Sequence, residues 1–279
     1  MNIQHTLPED QRVVLTCTSN SKYIEPLSAM IKSLHVHNTL PVVCRLVNCT
    51  SEEVSRIEKF NNTTVLVDNK ELSTKRNICN PSEVKIKDYK QLRRKTTDSG
   101  FKGVGWLYSQ EAAYCSNIKY NTINQLLNNN NDCVVYMDVD TIIRGDIDSV
   151  YDHVQSHDVG MFICPEEKEK DITVHGDKYI GWHAGIIVAN NTPLAKKFMR
   201  LVEHRVHQDM CNMEADEDEF DYVYRLPQFR ELKIKSIDKT YKDSGPVFSD
   251  DSLVWSGQAE NKESNQQYIE EFNKHATKH

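Results

Sequence analysis

The sequence predicts an α/β fold, with a mainly parallel central sheet covered by helices on both faces. Short apolar runs typical of buried strands alternate with segments of helical period along most of the 279-residue chain. The clearest run, Cys133 to Met137, is followed directly by Asp138-Val139-Asp140. Because open α/β sheets bind ligands at the carboxyl ends of their strands, we expect a Rossmann-like architecture with its site at that edge.

The first 67 residues predict three strands and two helices in alternation. The helix period comes from apolar residues spaced three and four apart, and a Thr or Ser before two acidic residues marks the start of the second helix. The predicted elements are a strand from Val13 to Thr18, a helix from Tyr23 to His37, a strand from Val42 to Val47, a helix capped by Thr50 or Ser51 and ending at Phe60, and a strand from Thr64 to Val67.

Residues 68–105 are rich in Lys and Arg with little periodicity, so we expect a long irregular excursion there. A helix from Gln110 to Leu127 and a polar connector from Asn128 to Asp132 then lead into the Asp138 strand.

The second half of the chain continues the pattern with weaker signals. Thr192-Pro193 predicts a helix start, and Ser264 is expected to cap the last helix. The predicted elements are strands from Val159 to Cys164, Ile186 to Ala189 and Leu232 to Ile237, a helix from Thr192 to His207, an acidic loop over 214–221, and a helix from Ser264 to Lys274 within the tail 263–279.

Composition narrows the class of protein. A formal net charge of -7 argues against a nucleic-acid ligand, since phosphate backbones demand a Lys- and Arg-rich face. No apolar stretch approaches the ~20 residues that cross a bilayer, and the start lacks the apolar region of a signal peptide. The eight cysteines are scattered rather than paired as zinc ligands. We therefore expect one cytoplasmic domain over residues 1–279, with reduced cysteines and no transmembrane segment.

The two carboxylates of Asp138 and Asp140 predict a metal site. Mg²⁺ and Mn²⁺ accept a few carboxylate oxygens and leave the other positions to water and substrate phosphates. The alternative is a solvent-exposed turn without a metal, in which the Asp side chains form hydrogen bonds to the local backbone. The preceding buried strand favours the metal.

Several segments, in this order, resemble the family 8 glycosyltransferases, the glycogenin-like and bacterial galactosyltransferase-like enzymes with the A-type fold. Thr16 to Asn20 with Tyr23 is similar to the opening strand and helix that cradle the nucleotide. Ala113 to Lys119 is similar to the donor-facing helix, with Lys119 in place of the usual Arg. Val135 to Ile147 is similar to the metal strand and the turn after it.

Two later segments extend this resemblance. Gly181 to Val188 is similar to the turn and strand beside the donor sugar, with His183 where Asn is commoner. Asp216-Glu217-Asp218 is similar to the acidic turn that faces the transferred sugar.

The chain departs from the family at the third metal ligand. Val254 to Gly257 with Lys262 stands where the family has a His-Gly-Lys motif, so Ser256 replaces the usual His ligand.

The resemblance implies a role for each matching residue. The sugar and acceptor would be oriented by His183, Asp216, Glu217 and Asp218. The donor nucleotide would be contacted by Thr18, Tyr23, Lys119, Asp138, Val139, Ala184, Gly185, Gly257 and Lys262. The Mn²⁺ or Mg²⁺ ion would be held by Asp138, Asp140 and Ser256.

The resemblance also implies the reaction. A sugar would pass from a nucleotide-sugar donor, commonly a UDP-sugar, to a hydroxyl of a glycan or other acceptor, with retention at the anomeric carbon. Two alternatives stay open, and a DNA-modifying sugar transferase is a third that the acidic balance of the chain disfavours. Asp138 and Asp140 also fit the first motif of haloacid-dehalogenase-like phosphatases, and the loss of the His ligand is compatible with a sugar-nucleotide-binding protein that lacks activity.

Overall fold

A computed structural model describes residues 6–74, 78–79, 105–106, 109–164, 173–174, 177–178, 180–210, 215–256 and 265–276. The strands of the central sheet are β1 (Val13–Asn20), β2 (Val42–Val47), β3 (Thr63–Asp68), β4 (Cys133–Met137), β5 (Val159–Ile163), β6 (Trp182–Asn190) and β7 (Ile234–Ser236). The helices are α1 (Ile24–His37), α2 (Ser51–Glu58), α3 (Gln110–Asn117), α4 (Lys119–Asn128), α5 (Ser149–Val154), α6 (Pro193–Val206), α7 (Ala215–Tyr224) and α8 (Gln266–His275).

The seven strands form one mostly parallel sheet in the order β7-β5-β6-β4-β1-β2-β3. β1 pairs in parallel with both β2 and β4, and β7 pairs in parallel with β5. β6 is antiparallel to both of its neighbours, β4 and β5. The first residues of β6 therefore lie at the edge where β4 and β5 end.

Helices cover both faces of the sheet because its central strands are buried on both sides. Successive residues of a strand point to opposite faces. Val135 and Met137 pack into the core with α1, α2 and α5, whereas Val134 and Tyr136 pack into the core with α4, α6 and α7. The continuous apolar runs in the sequence are the result of this two-sided burial.

The predicted α/β class and most predicted strands and helices are confirmed. Thr50 is the residue that caps α2: its hydroxyl accepts from Glu53 N–H, and the Glu53 carboxylate accepts from Thr50 N–H at 2.7 Å. This reciprocal pair is a capping box.

Four predicted elements differ from the structure. The helix predicted from Gln110 to Leu127 is divided at Ile118 into α3 and α4. The strand predicted from Ile186 begins earlier, at Trp182. The acidic run begins the helix α7 rather than forming a loop, because apolar residues at helical spacing, such as Phe220 and Val223, give it a buried face. The cap of α8 is Asn265, whose side chain accepts from Tyr268 N–H, and not Ser264.

Other expectations fall partly outside the described residues. Within 68–105 the structure describes β3's last residue, 69–74 and an antiparallel pair of two-residue strands, Ile78–Cys79 and Gly105–Trp106. The cysteines whose side chains are described, six in number, are all free thiols. No helix in the described part is long and apolar enough to cross a membrane. The single-domain organisation stays a prediction.

Candidate active site

The Asp138-Val139-Asp140 turn lies at the edge of the sheet where the parallel strands end. β4 ends at Met137, and β1, its parallel neighbour, ends at Asn20. The start of the antiparallel β6 meets the same edge, since Ile186 pairs with Met137. Residues far apart in the chain are thereby brought around the two carboxylates.

Backbone and side-chain hydrogen bonds fix the turn. Asp138 N–H donates to Gly185 O at 3.0 Å, and Thr141 Oγ1 donates to Asp138 O at 2.7 Å. The Tyr136 hydroxyl donates to Asp138 Oδ1 at 3.2 Å. Burial, followed by the charge of Asp138, raises the pKa of Tyr136 well above its usual range, so its hydroxyl keeps its proton and remains a donor.

The C-terminal helix α8 also supports this turn. The Tyr268 hydroxyl donates to the main-chain oxygen of Asp140 at 2.8 Å. Tyr268 packs edge-on against the buried Trp255, which shares an apolar cluster with Ile142 just after the turn. The side chains of Asp138 and Asp140 themselves are half-buried. Both carboxylates are thus held by their backbone while remaining accessible.

A bulge at the start of β6 turns backbone groups toward the site. The pairing of β6 with β5 shifts register between His183 and Ile187. A bulge of this kind removes backbone groups from the ladder and aims them elsewhere. Accordingly, Ala184 N–H donates to Glu217 Oε1 at 3.1 Å, and Ala184 O accepts from Lys119 Nζ at 3.1 Å.

Gly185 lies so close to the charged side chains that any larger residue would displace them. A β-carbon on Gly185 would lie 2.6 Å from Asp138 Oδ2 and 2.7 Å from Lys242 Nζ. It would also lie 3.0 Å from His183 Cε1. The carboxylate, the ammonium and the imidazole therefore converge on the same small volume beside the bulge.

His183 is a neutral imidazole in this setting. Burial, then the positive charge of Lys242, lowers its pKa to about 4, although Asp138 opposes the shift. Its Nδ1 accepts from Gly185 N–H at 3.2 Å. In the neutral ring this leaves the proton on Nε2, which makes Nε2 a hydrogen-bond donor.

A buried ion pair connects the helices to this edge of the sheet. Lys119 Nζ lies 2.8 Å from Asp216 Oδ2 and 4.8 Å from the centre of the Tyr136 ring. Asp216 also accepts from the Ser116 hydroxyl at 2.9 Å. Lys119 is only 2% exposed and Asp216 4%, so Lys119 neutralises a buried carboxylate rather than lying on an exposed helix face. Burial raises the pKa of Asp216, even though Lys119 opposes the shift.

Helix α7 is held in register with β6 at two points. Glu217 near its start accepts from Ala184 N–H, and Asp221 one turn later accepts from Trp182 Nε1 at 2.8 Å. Asp221 is fully buried and also accepts from Arg225 Nε. Asp218 belongs to the same first turn and is partly buried. The acidic residues thus approach the site from a fixed helix end.

At the end of β1, Thr18 and Tyr23 lie where the resemblance places the nucleotide. Thr18 Oγ1 is buried and has no hydrogen-bond partner in the described part of the chain, which is compatible with a ligand contact. Tyr23 is partly buried against the core, just before α1. The carboxylate of Glu111 is held there by the amides of Asn20 and Asn48, at 2.8 and 2.9 Å.

The late segment brings Ser256 and Lys242 together. The Ser256 hydroxyl donates to Asp243 O at 3.2 Å and lies 3.4 Å from Lys242 Nζ. Two predicted donor contacts, Gly257 and Lys262, lie outside the described residues.

The carboxylates of Asp138 and Asp140 are sufficient for a divalent cation only if water and substrate complete its coordination shell. In the part of the chain that the structure describes, no group of three or more His, Cys, Asp or Glu side chains is placed to hold a metal ion. Mg²⁺ commonly takes one or two carboxylates and fills its remaining positions with water and phosphate oxygens. Asp138 and Asp140 meet that smaller requirement, and the neighbouring Ser256 could add only a neutral oxygen.

Sequence reasoning missed Lys242, Glu111 and Tyr268. Lys242 contacts Ser256, Glu111 contacts Asn20, and Tyr268 contacts Asp140. In each pair the two residues are distant in the chain. No local pattern around them carries that information.

Comparison with known proteins identifies the fold. No protein-family model and no curated protein matches the chain. Among solved structures, glycosyltransferase GlyE of Streptococcus pneumoniae TIGR4 is 14% identical with a TM-score of 0.55, covering 97% of this chain and 61% of GlyE. The bifunctional glycosyltransferase WbbM is 12% identical with a TM-score of 0.53, covering 98% of this chain and 50% of WbbM.

A third similar structure matches over nearly its whole length. Galactosyltransferase LgtC, solved with donor and acceptor sugar analogues, is 11% identical with a TM-score of 0.54, covering 96% of this chain and 97% of LgtC. By contrast, the chain spans only about three fifths of the length of GlyE and half of the length of WbbM. The predicted A-type glycosyltransferase fold is confirmed, whereas membership of family 8 stays a prediction.

Proposed function

We propose that this protein is a metal-dependent glycosyltransferase that moves a sugar from a nucleotide-sugar donor, a UDP-sugar by preference, to a hydroxyl of a glycan or other acceptor. One observation carries the proposal. The Asp138-Val139-Asp140 turn lies at the carboxyl edge of the sheet in an A-type fold, with the bulge of β6 beside it. The predicted cytoplasmic location stays a prediction.

Asp138 and Asp140 would hold Mn²⁺ or Mg²⁺. When bound, the ion neutralises negative charge that develops on the diphosphate as the bond to the sugar breaks. The turn is suited to this role because Gly185 O and the Tyr136 hydroxyl fix Asp138, and Tyr268 fixes Asp140. Preorganised carboxylates need no rearrangement when charge develops.

The donor nucleotide would lie along the end of β1, beside Thr18 and Tyr23. The donor sugar would lie beside Ala184 and Gly185, close to the Asp138 carboxylate and the Lys242 ammonium. Neutral His183, with Nε2 as donor, and the carboxylates of Glu217 and Asp218 are suited to orient sugar or acceptor hydroxyls.

The chemical step requires no protein base if the anomeric configuration is retained. The bond between the anomeric carbon and the diphosphate oxygen breaks, and its electron pair stays on that oxygen. A bond forms from the acceptor oxygen to the anomeric carbon, and the acceptor proton passes to the departing diphosphate. Asp216 is unsuited to act as a base, since its carboxylate is bonded to Lys119 and Ser116 inside the protein.

The test is release of nucleoside diphosphate from a panel of UDP- and GDP-sugars, with Mn²⁺ or EDTA, with and without oligosaccharide acceptors. We expect one donor to be consumed in Mn²⁺ and spared in EDTA, and the anomeric configuration of the product, read by NMR, to match that of the donor. Phosphate release from a simple phosphomonoester, together with no release of nucleoside diphosphate from any sugar nucleotide of the panel, would instead support the phosphatase. Donor binding without turnover would support the inactive binding protein.

A further inference from the structure

Lys242 is a buried lysine at the proposed donor site, and the inference drawn from it depends on the proposed function. It follows β7 and a single turn of 3-10 helix, Lys239–Tyr241. Its side chain is only 4% exposed, yet its ammonium reaches the same small volume as the Asp138 carboxylate beside Gly185.

The backbone around Lys242 is fixed from both sides. Lys242 N–H donates to Lys239 O, and the next residue, Asp243, donates its N–H to Val254 O at 2.9 Å. Ser256 N–H returns a bond to Asp243 O at 2.8 Å. The Asp243 carboxylate closes the following loop by accepting from the N–H groups of Gly245 and Ser249, each at 2.9 Å. The ammonium is therefore positioned before any ligand arrives.

A buried ammonium needs negative charge close by. Removing an ion from water is costly, and the cost is recovered only through nearby opposite charge and hydrogen bonds. Asp138 supplies one carboxylate, and the neutral hydroxyl of Ser256 lies 3.4 Å away. If Asp138 also holds a divalent cation, that carboxylate is shared between two positive centres. A diphosphate arriving at Asp138 would add negative charge beside the ammonium.

The position of Lys242 relative to Gly185 makes contact with such a ligand feasible. A β-carbon on Gly185 would lie 2.7 Å from Lys242 Nζ and 2.6 Å from Asp138 Oδ2, so the ammonium and the carboxylate lie close to each other on the same side of β6. A phosphate group bound through a metal at Asp138 would therefore come within reach of the ammonium. A lysine acts on phosphate as a compact point charge, so it needs proximity rather than a fixed fork geometry.

We infer that Lys242 binds the diphosphate of the donor directly and adds a permanent positive charge to that of the metal ion. Lys242 keeps its proton throughout, and the ammonium stabilises the diphosphate as the bond to the sugar breaks. In consequence, part of the affinity for a nucleoside diphosphate survives without a divalent cation. A purely structural Lys242, present only to neutralise Asp138, would have no such effect.

The test is calorimetric titration with UDP, GDP, uridine and guanosine, in EDTA and in Mn²⁺. The variants are Lys242→Met, Lys242→Arg and Lys239→Met, the last removing an exposed lysine from the same turn. We expect wild-type protein in EDTA to bind one diphosphate at least about tenfold more tightly than its nucleoside. Lys242→Met should lose about 10- to 100-fold of that affinity, with nucleoside affinity unchanged, and Lys239→Met should match wild type.

Two results would overturn the inference. One is a folded Lys242→Met protein that binds the diphosphate as tightly as wild type. The other, which needs no methionine variant, is a wild-type protein whose preference for diphosphate over nucleoside vanishes in EDTA. If Lys242→Met does not fold, Lys242→Arg should keep most of the affinity in EDTA, and its loss would also contradict the inference. Absence of nucleotide binding to wild type in both conditions would overturn the proposed function as well.

Discussion

At the scale of single residues, the site is a balance of charges held at fixed positions. Lys119 and Asp216 form a buried pair, while Lys242 and Asp138 meet beside Gly185. Such pairs cost free energy to bury, and removing one partner leaves the other uncompensated. Single substitutions should therefore have large and distinguishable effects on stability and on activity.

Lys119→Met should lower the free energy of unfolding by about 3 to 5 kcal/mol, because it leaves Asp216 buried without its partner. Asp216→Asn in the same chain should recover about 1 to 3 kcal/mol of this loss. Urea unfolding of the two single variants and the double variant measures the coupling. Additive effects would mean that the pair contributes nothing as a pair.

The same variant has a predicted pH dependence. Burial already raises the pKa of Asp216, and loss of Lys119 raises it further. A carboxyl whose folded pKa exceeds its unfolded value costs stability as pH rises from the unfolded toward the folded pKa. The deficit of Lys119→Met relative to wild type should therefore shrink as pH falls toward about 4. A deficit that is constant or grows on acidification would contradict this.

Gly185→Ala should reduce transfer activity by about 10- to 100-fold, because the new methyl group displaces the Asp138 carboxylate and the Lys242 ammonium. Both groups are ends of side chains that can move, so the melting temperature should fall by only a few degrees, about 1 kcal/mol or less. Steady-state kinetics and thermal unfolding of one preparation separate the two effects. Full activity would show that Asp138 need not hold its present position.

The contacts of individual residues were the hardest feature to predict from the sequence. Asp138 and Asp140 are predicted to bind a metal because their turn directly follows a recognisable strand. Lys119 was singled out as a donor contact, but its buried partner Asp216 is 97 positions away. Lys242 was missed, because its neighbour Gly185 belongs to a different strand. Contacts of this kind exist only after folding.

At the scale of elements, the strands and helices follow from local pattern, whereas their direction and ends depend on packing. β4 is a continuous apolar run in the sequence because both of its faces are buried. The start of β6 was missed because Trp182, His183 and Gly185 do not form such a run. Its antiparallel direction has no local signal at all, yet that direction brings His183 to the carboxylate edge.

Thr50→Ala should destabilise the protein by about 1 kcal/mol, because it removes the hydroxyl that caps α2. Ser51→Ala at the next position is the matched control and should be nearly neutral. Thermal or urea unfolding of both variants decides which hydroxyl is the cap. A larger loss in Ser51→Ala would contradict the capping box.

Tyr268→Phe tests whether α8 supports the Asp138–Asp140 turn. Loss of the bond to Asp140 O should lower stability by about 1 kcal/mol and reduce kcat/KM several-fold, since the turn loses one of its fixed points. Gln266→Ala, on the exposed side of the same helix, should change neither quantity. Equal kinetics in the two variants would show that α8 does not support the turn.

At the scale of the whole molecule, one architecture explains both the sequence pattern and the position of the site. Six strands end toward one edge while β6 begins there, so polar residues from the ends of β1 and β4, the start of β6 and the segment after β7 lie at the same edge of the sheet. The similar solved structures GlyE and LgtC, which share the fold, are glycosyltransferases. The fold class was predictable from alternating patterns, because burial of a parallel sheet leaves a strong signal in sequence.

The central claim is that Asp138 and Asp140 form the metal-binding and donor-binding centre of a glycosyltransferase. The most direct test is kcat/KM for sugar transfer, with the donor found by the panel, in Asp138→Asn, Asp140→Asn and Asp146→Asn. Asp146 is an exposed carboxylate just beyond the turn and serves as the matched control. We expect a loss of at least about 100-fold in the first two variants and less than about twofold in the third. Transfer at near wild-type rates by folded Asp138→Asn and Asp140→Asn proteins would contradict it.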